Sequence, residues 1–341
     1  MNPTFDVMGR KIETERLILR PFEESDLMDL YTYASVAGVG EAAGWPAHEN
    51  IETSREILNM FLEKKDNFAV YHKADQKVIG SLGLRYSWTS RNEKYKHLKA
   101  KEIGYVLSKD YWGQGLATEA VKAVIDYGYQ VLLLDAFGIA HFGENDKSRR
   151  VVEKCGFTYI ETGKYFSKQL QKEYDDIRYI LLPKYTLQEV NDPDIKSEIC
   201  NNILRALPNW FGDEESIVEY VAQVKPLPFY AVYDENNPIA FVAITPHNKY
   251  TAEIHVMGIL EEYHRQGIGK MLVNCAKRYC AGNNLEFLTV KTLDEKHPDE
   301  FYAKTREFYF SMGFKPLQVF PLLWGEHNPC LFLVKTVKGE Y

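Results

Sequence analysis

Cysteine is scarce in this sequence and poorly placed for chemistry. The 341-residue chain has five (Cys155, Cys200, Cys275, Cys280, Cys330), with no CxxC pair and no His/Cys metal spacing. A scattered, odd set suits free thiols in a reducing compartment, and no metal site is expected. A basic excess is missing too. Lys and Arg number 41 against 48 Asp and Glu, and the net charge of −7 argues against a nucleic-acid-binding surface. Long apolar runs are absent: VLLLDAFGIAHF is broken by Asp135 and Gly138, so no membrane span is expected. MNPTFDVMGRKIETERL contains no apolar h-region, which together with the thiols predicts a cytoplasmic protein. What remains, 45% hydrophobic and 26% charged, is ordinary for a globular chain whose length predicts more than one domain.

The two halves repeat one another. YWGQGLATEA (111–120) and YHRQGIGKML (263–272) both set glycines where a helical pattern begins, and Gly267 follows Gly115 by 152 residues (267 − 115). Each half opens on a strand, ERLILRPF or YTLQEV. Two helices follow, one opened by Asp26 and one through IETSREILNMFLEKK, matched by DIKSEICNNILRAL and DEESIVEYVAQV. FAVYHKADQKVIGSLGLRY and FYAVYDENNPIAFVAI read as hairpins, and EIGYVL and AEIHVMGIL as the next strands. After the glycine turn and its long helix come a strand and a shorter helix ending in Gly-Phe (Gly156-Phe157, Gly313-Phe314), then further strands. The predicted order β-α-α-β-β-β-turn-α-β-α-β-β thus occurs twice, in domains spanning 1–183 and 184–341 that join near LPKYTLQEVNDPD. RYSWTSRNEKYKHLKA (85–100) has no counterpart in the second half and reads as a solvated hairpin loop rather than a substrate-facing flap.

Glycines between a strand and a helix remove Cβ bulk beside the first helical N–H groups, which have no partner inside the helix and carry the positive end of its dipole. Such a turn suits phosphate. It is not a Walker A loop, since GIGKM lacks the first Gly and a Ser/Thr after Lys270. Nor is it GxGxxG, because Thr118 and Leu272 occupy the third glycine position. One such turn is weak evidence; the doubled context makes it specific.

Trp112-Gly113-Gln114-Gly115-Leu116-Ala117 and His264-Arg265-Gln266-Gly267-Ile268-Gly269 resemble the [RQ]-x-x-G-x-[GA] signature of the GNAT superfamily of N-acetyltransferases, except that Trp112 and His264 stand in the first position. Through ERLILRPF, EIGYVL, YWGQGLATEA and ENDKSRRVVEKCGF the first half resembles the ribosomal-protein N-terminal acetyltransferase branch. The second half looks like a small bacterial GNAT domain, through AEIHVMGILEEYHRQGIGKML and FYAKTREFYFSMGF. Together the resemblances cover most of residues 12 to 337. They imply an α/β fold of the α+β type with two GNAT-like domains. Each would have a mixed, mostly antiparallel sheet splayed between its fourth and fifth strands and flanked by about four helices. They also imply that turn N–H groups hold the pyrophosphate of acetyl-CoA, around Trp112 to Ala117 with Thr118, and around His264 to Gly269 with Lys270. The preceding strand would pair with the pantetheine arm and supply oxyanion donors at Tyr105, Val106 and Leu107, and at Met257, Gly258 and Ile259.

Acetyl transfer to an amine also needs a base for the ammonium and an acid for the departing thiolate. Glu253 lies ten residues before Tyr263 (263 − 253), the spacing of a glutamate base in the resembled family, with a salt-bridged edge carboxylate as the plainer alternative. His255, two residues on and so on the same strand face, could relay a proton through water or be an ordinary cleft histidine. Glu102 lies nine before Tyr111 (111 − 102) and would need a strand bulge to be equivalent. Tyr309 matches the family's LYxxxGF ending, where such a tyrosine protonates the thiolate. The family's N-x-x-A is missing there, with Tyr302 and Thr305 in its place. The first half keeps N-x-x-S as Asn145 and Ser148, a CoA-contacting pair in the resembled branch, but has Val152 where the tyrosine belongs. Ser148 is then the candidate donor, and Asn145 equally suits a helix cap. Trp45, Trp210, Phe211 and Trp324 are candidate acceptor walls, suited with nearby carboxylates to a cation. The expected function is acetyl-CoA-dependent transfer to a primary amine of a small molecule or peptide in a ternary complex, and a homodimer is compatible with it. The alternative is a non-catalytic acyl-CoA sensor or interaction protein with one or both halves degenerate.

Overall fold

The computed structural model describes residues 3–337; the outer ends of the two expected domains, 1–2 and 338–341, lie outside the described residues. The chain divides into two compact units, Met1–Pro183 and Lys184–Tyr341. The first runs β1 (Ile12–Glu13), β2 (Leu17–Pro21), α1 (Leu27–Ala34), α2 (Ile51–Lys64), β3 (Asn67–His72), β4 (Lys77–Arg85), β5 (Ala100–Leu107), α3 (Leu116–Gln130), β6 (Ala136–Phe142), α4 (Asp146–Lys154), β7 (Thr158–Ser167) and β8 (Lys172–Leu181). The second runs β9 (Thr186–Glu189), α5 (Pro193–Arg205), α6 (Glu214–Gln223), β10 (Phe229–Asp234), β11 (Asn237–Pro246), β12 (Thr251–Ile259), α7 (Ile268–Gly282), β13 (Phe287–Leu293), α8 (Glu300–Ser311), β14 (Lys315–Phe320) and β15 (Cys330–Thr336). Apart from the two-residue β1, the predicted order is found in both units.

The sheets run β1-β2-β3-β4-β5-β6-β8-β7 and β14-β15-β13-β12-β11-β10-β9, one topology twice. Both faces of each are covered, so central strands bury residues of both parities. In β3, Phe68 and Val70 join the cluster beneath α3, while Ala69 joins that of α1 and α2. In β11, Val242 and Ile244 face α7, while Phe241 and Ala243 face α5 and α6. Helix termini follow local chemistry: Asn50, Asn145, Asp192, Asp213 and Asp299 each accept a first-turn N–H with their side chains.

The 85–100 segment departs from the expected solvated loop. Trp88 and Tyr95 are buried and pack edge to face with ring centroids 6.3 Å apart, in a small core with Ala136 and Ile180. Their apolar area outweighs the polar character of the rest of the segment.

Close packing also sets a test of the fold. A Cβ on Gly128 of α3 would lie 2.0 Å from Cζ of the fully buried Phe137. Gly128→Ala is expected to lower stability by about 1–3 kcal/mol, because overpacking outweighs the helix propensity gained. An unchanged or raised melting temperature would refute this.

Candidate active site

The two glycine turns are alike in backbone conformation. Left-handed backbone alternates through Gly113 (φ +78°) and Gly115 (φ +81°), and through Arg265 (φ +59°) and Gly267 (φ +83°). Alternation of this sort aims successive N–H groups into one concavity. Gly115 and Gly267 are the N-caps of α3 and α7, and no side chain among the described residues takes up the first amides of either helix. A Cβ at Gly113 or Gly267 would meet no described atom within 4 Å, so the space over the turns is open. Open amides at a helix dipole fit a pyrophosphate. Gly269 and Ala117 sit on the helix side, and a Cβ at Gly269 would come 2.9 Å from the Phe308 ring.

The side chains of the expected turn residues brace it. Trp112 Nε1 donates to Leu107 O at 2.8 Å, and His264 Nε2 contacts Ile259 O at the same distance, both pairs 152 residues apart. Gln114 and Gln266 donate back to Asp110 O and Glu262 O at 2.9 Å. Gln266 also accepts from Tyr185 Oη at 2.5 Å. Thr118 lies in the first turn of α3, and Lys270 lines the cleft beside Gly267. Arg16 of ERLILRPF, which is not among the expected site residues, reaches the first unit's glycine turn through Nη1 to Gln114 O at 3.0 Å while paired to Glu119.

The strand before each turn parts from its neighbour. β5 pairs with β6 only over Ala100–Ile103, and β12 with β13 only over Thr251–Ile254. On the other edge, Ser108 N donates to Ile79 O at 2.7 Å and Leu260 N to Ile239 O at 3.0 Å. N–H directions alternate along an antiparallel pair, so the amides of Tyr105 and Leu107, and of Met257 and Ile259, point into the gap. Val106 and Gly258 point the other way, into the sheet.

In the second unit its own acid and base candidates, Glu253, His255 and Tyr309, share one cleft. A cleft of about 1330 Å³ is lined by Gly267, Met257, Glu253, His255 and Tyr309, with Trp210, Phe211 and Trp324 on its walls. β12 carries a bulge: Ala243 pairs with Val256 and Ile244 with Ile254, so His255 is the extra residue. β5 pairs with β4 without a shift, and Glu102 occupies the register position that Glu253 has in β12. The bulge that equivalence required is therefore present, in the second unit, and the residue it inserts is His255. The broken alternation leaves Glu253 and His255 on the α6 side, where the Tyr220 ring meets His255 edge on at 5.6 Å.

Glu253 is buried and doubly held. Lys291 Nζ lies 2.8 and 2.9 Å from its two oxygens, and His247 Nε2 lies 3.0 Å from Oε2. Neither partner belongs to a motif, although a lysine inside the buried run FLTVKTL signals a charge that must be paired. Burial lowers the His255 imidazole below its ordinary value, and among the described residues its Nε2 has no hydrogen-bond partner. Tyr309 packs against Phe308 and Phe314, and burial raises its phenol well above the ordinary tyrosine value. Tyr302 and Thr305, where the family motif is missing, fasten the aromatic wall: Tyr302 Oη donates to Trp210 O at 2.8 Å, and Trp210 Nε1 to Thr305 Oγ1 at 3.2 Å.

The first unit is arranged differently. Glu102 accepts the Trp88 amide at 3.0 Å, and burial raises its carboxyl. Ala140 stands where β13 has Lys291, by the same strand register. Val152 is fully buried in the core. Ser148 Oγ is 3.0 Å from Tyr105 Oη, whose phenol burial pushes up to about 12. Asn145 caps α4 through the Ser148 amide at 3.0 Å and donates to Ala42 O. Trp45 packs into the α1–α2 cluster beside His48.

Fold and site together define a transferase built around a split strand and an open-amide turn, present twice. Residues 16–158 match the acetyltransferase (GNAT) domain and residues 197–314 the acetyltransferase (GNAT) family. N-acetyltransferase p20 of Bacillus licheniformis is 31% identical over 149 residues, covering 42% of this chain and 80% of p20. The spermidine N(1)-acetyltransferase of Escherichia coli is 39% identical over 140 residues, 41% of this chain and 72% of that one. The N-acetyltransferase YoaA of Bacillus subtilis is 27% identical over 176 residues, 50% of this chain and 96% of its own. The chain belongs to the GNAT family of acetyltransferases, whose acetyl donor is acetyl-CoA. Among the described residues no helix is long and apolar enough to cross a membrane, and no group of His, Cys, Asp and Glu could hold a metal ion.

Proposed function

We propose that the second unit acetylates the primary amine of a small molecule or peptide by direct attack in a ternary complex. The observation that carries this is the single cleft in which the open turn, the parted strand, Glu253, Tyr309 and the aromatic walls meet. When bound, acetyl-CoA supplies an activated acetyl thioester. The Gly267 turn and Lys270 would hold its phosphates, and the Met257 and Ile259 amides its pantetheine arm and carbonyl oxygen. Glu253, oriented by Lys291 and His247, takes a proton from the acceptor ammonium, with His255 beside it. Tyr309, on the cleft, delivers a proton to sulfur from its phenol. Trp210, Phe211 and Trp324, with Glu219 and Asp213 also on the cleft, favour a cationic acceptor.

The first unit supports a different reading. Its turn keeps the open amides, but Val152 cannot give a proton, Ser148 is engaged by Tyr105, and Glu102 has no lysine opposite it in the position of Lys291. Donor binding without turnover is the role we propose for it.

Incubating the protein with acetyl-CoA and a panel of amines should release free thiol, read with a chromogenic disulfide. Glu253→Gln is expected to lower kcat about 100-fold, the lower range for a lost general base. Full activity in that variant would remove Glu253 from the mechanism.

A further inference from the structure

We propose that His247 is the proton exit of the second unit, acting through Glu253; this rests on the base role just given to Glu253. Each turnover forms one C–N bond, breaks one C–S bond and takes two protons from the acceptor ammonium. One ends on sulfur by way of Tyr309. The other is collected by Glu253 and has to reach bulk water before the next acceptor binds.

Glu253 is 5% exposed, and a filled cleft would cover it further. Lys291 and His247 both bond to its carboxylate. Lys291 donates to both oxygens of Glu253, and an ammonium is a donor with no acceptor site, so it orients the carboxylate without taking a proton from it. His247 is the partner whose ring has one nitrogen that can accept a proton and another that can donate one. It sits in the turn between β11 and β12, its Nε2 is 3.0 Å from Glu253 Oε2, and its side chain is 41% exposed. One ring nitrogen thus faces the buried carboxylate while the residue stands at the protein surface. His247 takes the proton at Nε2 and gives one to water from Nδ1; exchange with solvent restores the starting tautomer. The charged and titratable groups around it are Glu253 and His255 of β12, Lys291 of β13, which pairs with Glu253, and Lys249 and Tyr250 of its own turn; Glu219 of α6 acts on His255. Among the described residues, the hydrogen bond to the Glu102 side chain comes from the Trp88 amide and not from a histidine.

The test compares His247→Gln and His247→Ala in the full chain at low buffer concentration. Gln keeps an N–H donor for Glu253 but cannot titrate, so a merely structural role would leave His247→Gln active. The exit role predicts a fall in kcat of about tenfold or more in both variants, with KM for acetyl-CoA and melting temperature unchanged. It also predicts that added imidazole restores His247→Ala in proportion to its concentration. Wild-type kcat in His247→Gln, or a loss in His247→Ala that imidazole does not repair, overturns the exit while leaving Glu253 as base. A wild-type protein that turns over no amine overturns both, and an active Glu253→Gln removes the group that His247 serves.

Discussion

Tyr309→Phe should lower kcat by about 100-fold while leaving KM for acetyl-CoA within a factor of about two, because only the proton donor is removed. The ring keeps its contacts with Phe308 and Phe314, whose centroids lie 5.2 and 5.5 Å away, so the core it belongs to is preserved. Burial raises the phenol, so ionisation of Tyr309 should not limit the rate below its ordinary pKa of about 10. Single-turnover and steady-state thiol release checks the split between kcat and KM. An unchanged kcat would make Tyr309 a packing residue and leave the sulfur to be protonated by water.

The second large effect concerns the turn. At Gly267 the backbone has φ +83°, where an L side chain is strained by about 1–2 kcal/mol, and open space lies where the Cβ would go. On the proposed donor-binding role, Gly267→Glu places an anion at the amides that would meet phosphate. Turnover is expected to fall at least about 100-fold, from like-charge repulsion added to the lost amide contacts, and calorimetry should find one donor site missing. On the role proposed for the first unit, Gly115→Glu should likewise remove one site but leave turnover intact, since Val152 stands where the second unit has Tyr309 and Ala140 where it has Lys291. Unchanged donor stoichiometry in both variants would defeat the phosphate reading of the turns. Loss of turnover on Gly115→Glu would defeat the assignment of catalysis to the second unit.

Much of this site is legible in the amino-acid sequence. Recurrence of the strand–glycine turn–helix pattern 152 residues apart announces two copies of one fold, and the left-handed backbone at Gly115 and Gly267 is what glycine at a strand–helix junction implies. The Tyr309/Val152 difference is legible as well, and it marks where the units diverge. The 85–100 segment reads as a solvated loop because its polar residues outnumber Trp88 and Tyr95, whereas burial follows the area of those two rings. Tyr302 and Thr305 look like a broken motif; they fasten Trp210 to α8.

Period-two and helical patterning, the two glycine turns and the Gly-Phe endings were determined by the sequence alone, because each depends on interactions within a few residues. Tertiary structure alone decided what surrounds Glu253. His247 comes from a turn, Lys291 from a parallel strand 38 residues away, and the inserted His255 resets which side chains of β12 face α6. The physical reason is register: a one-residue shift in a strand reverses the face of every residue beyond it, and pairing, not composition, places that shift.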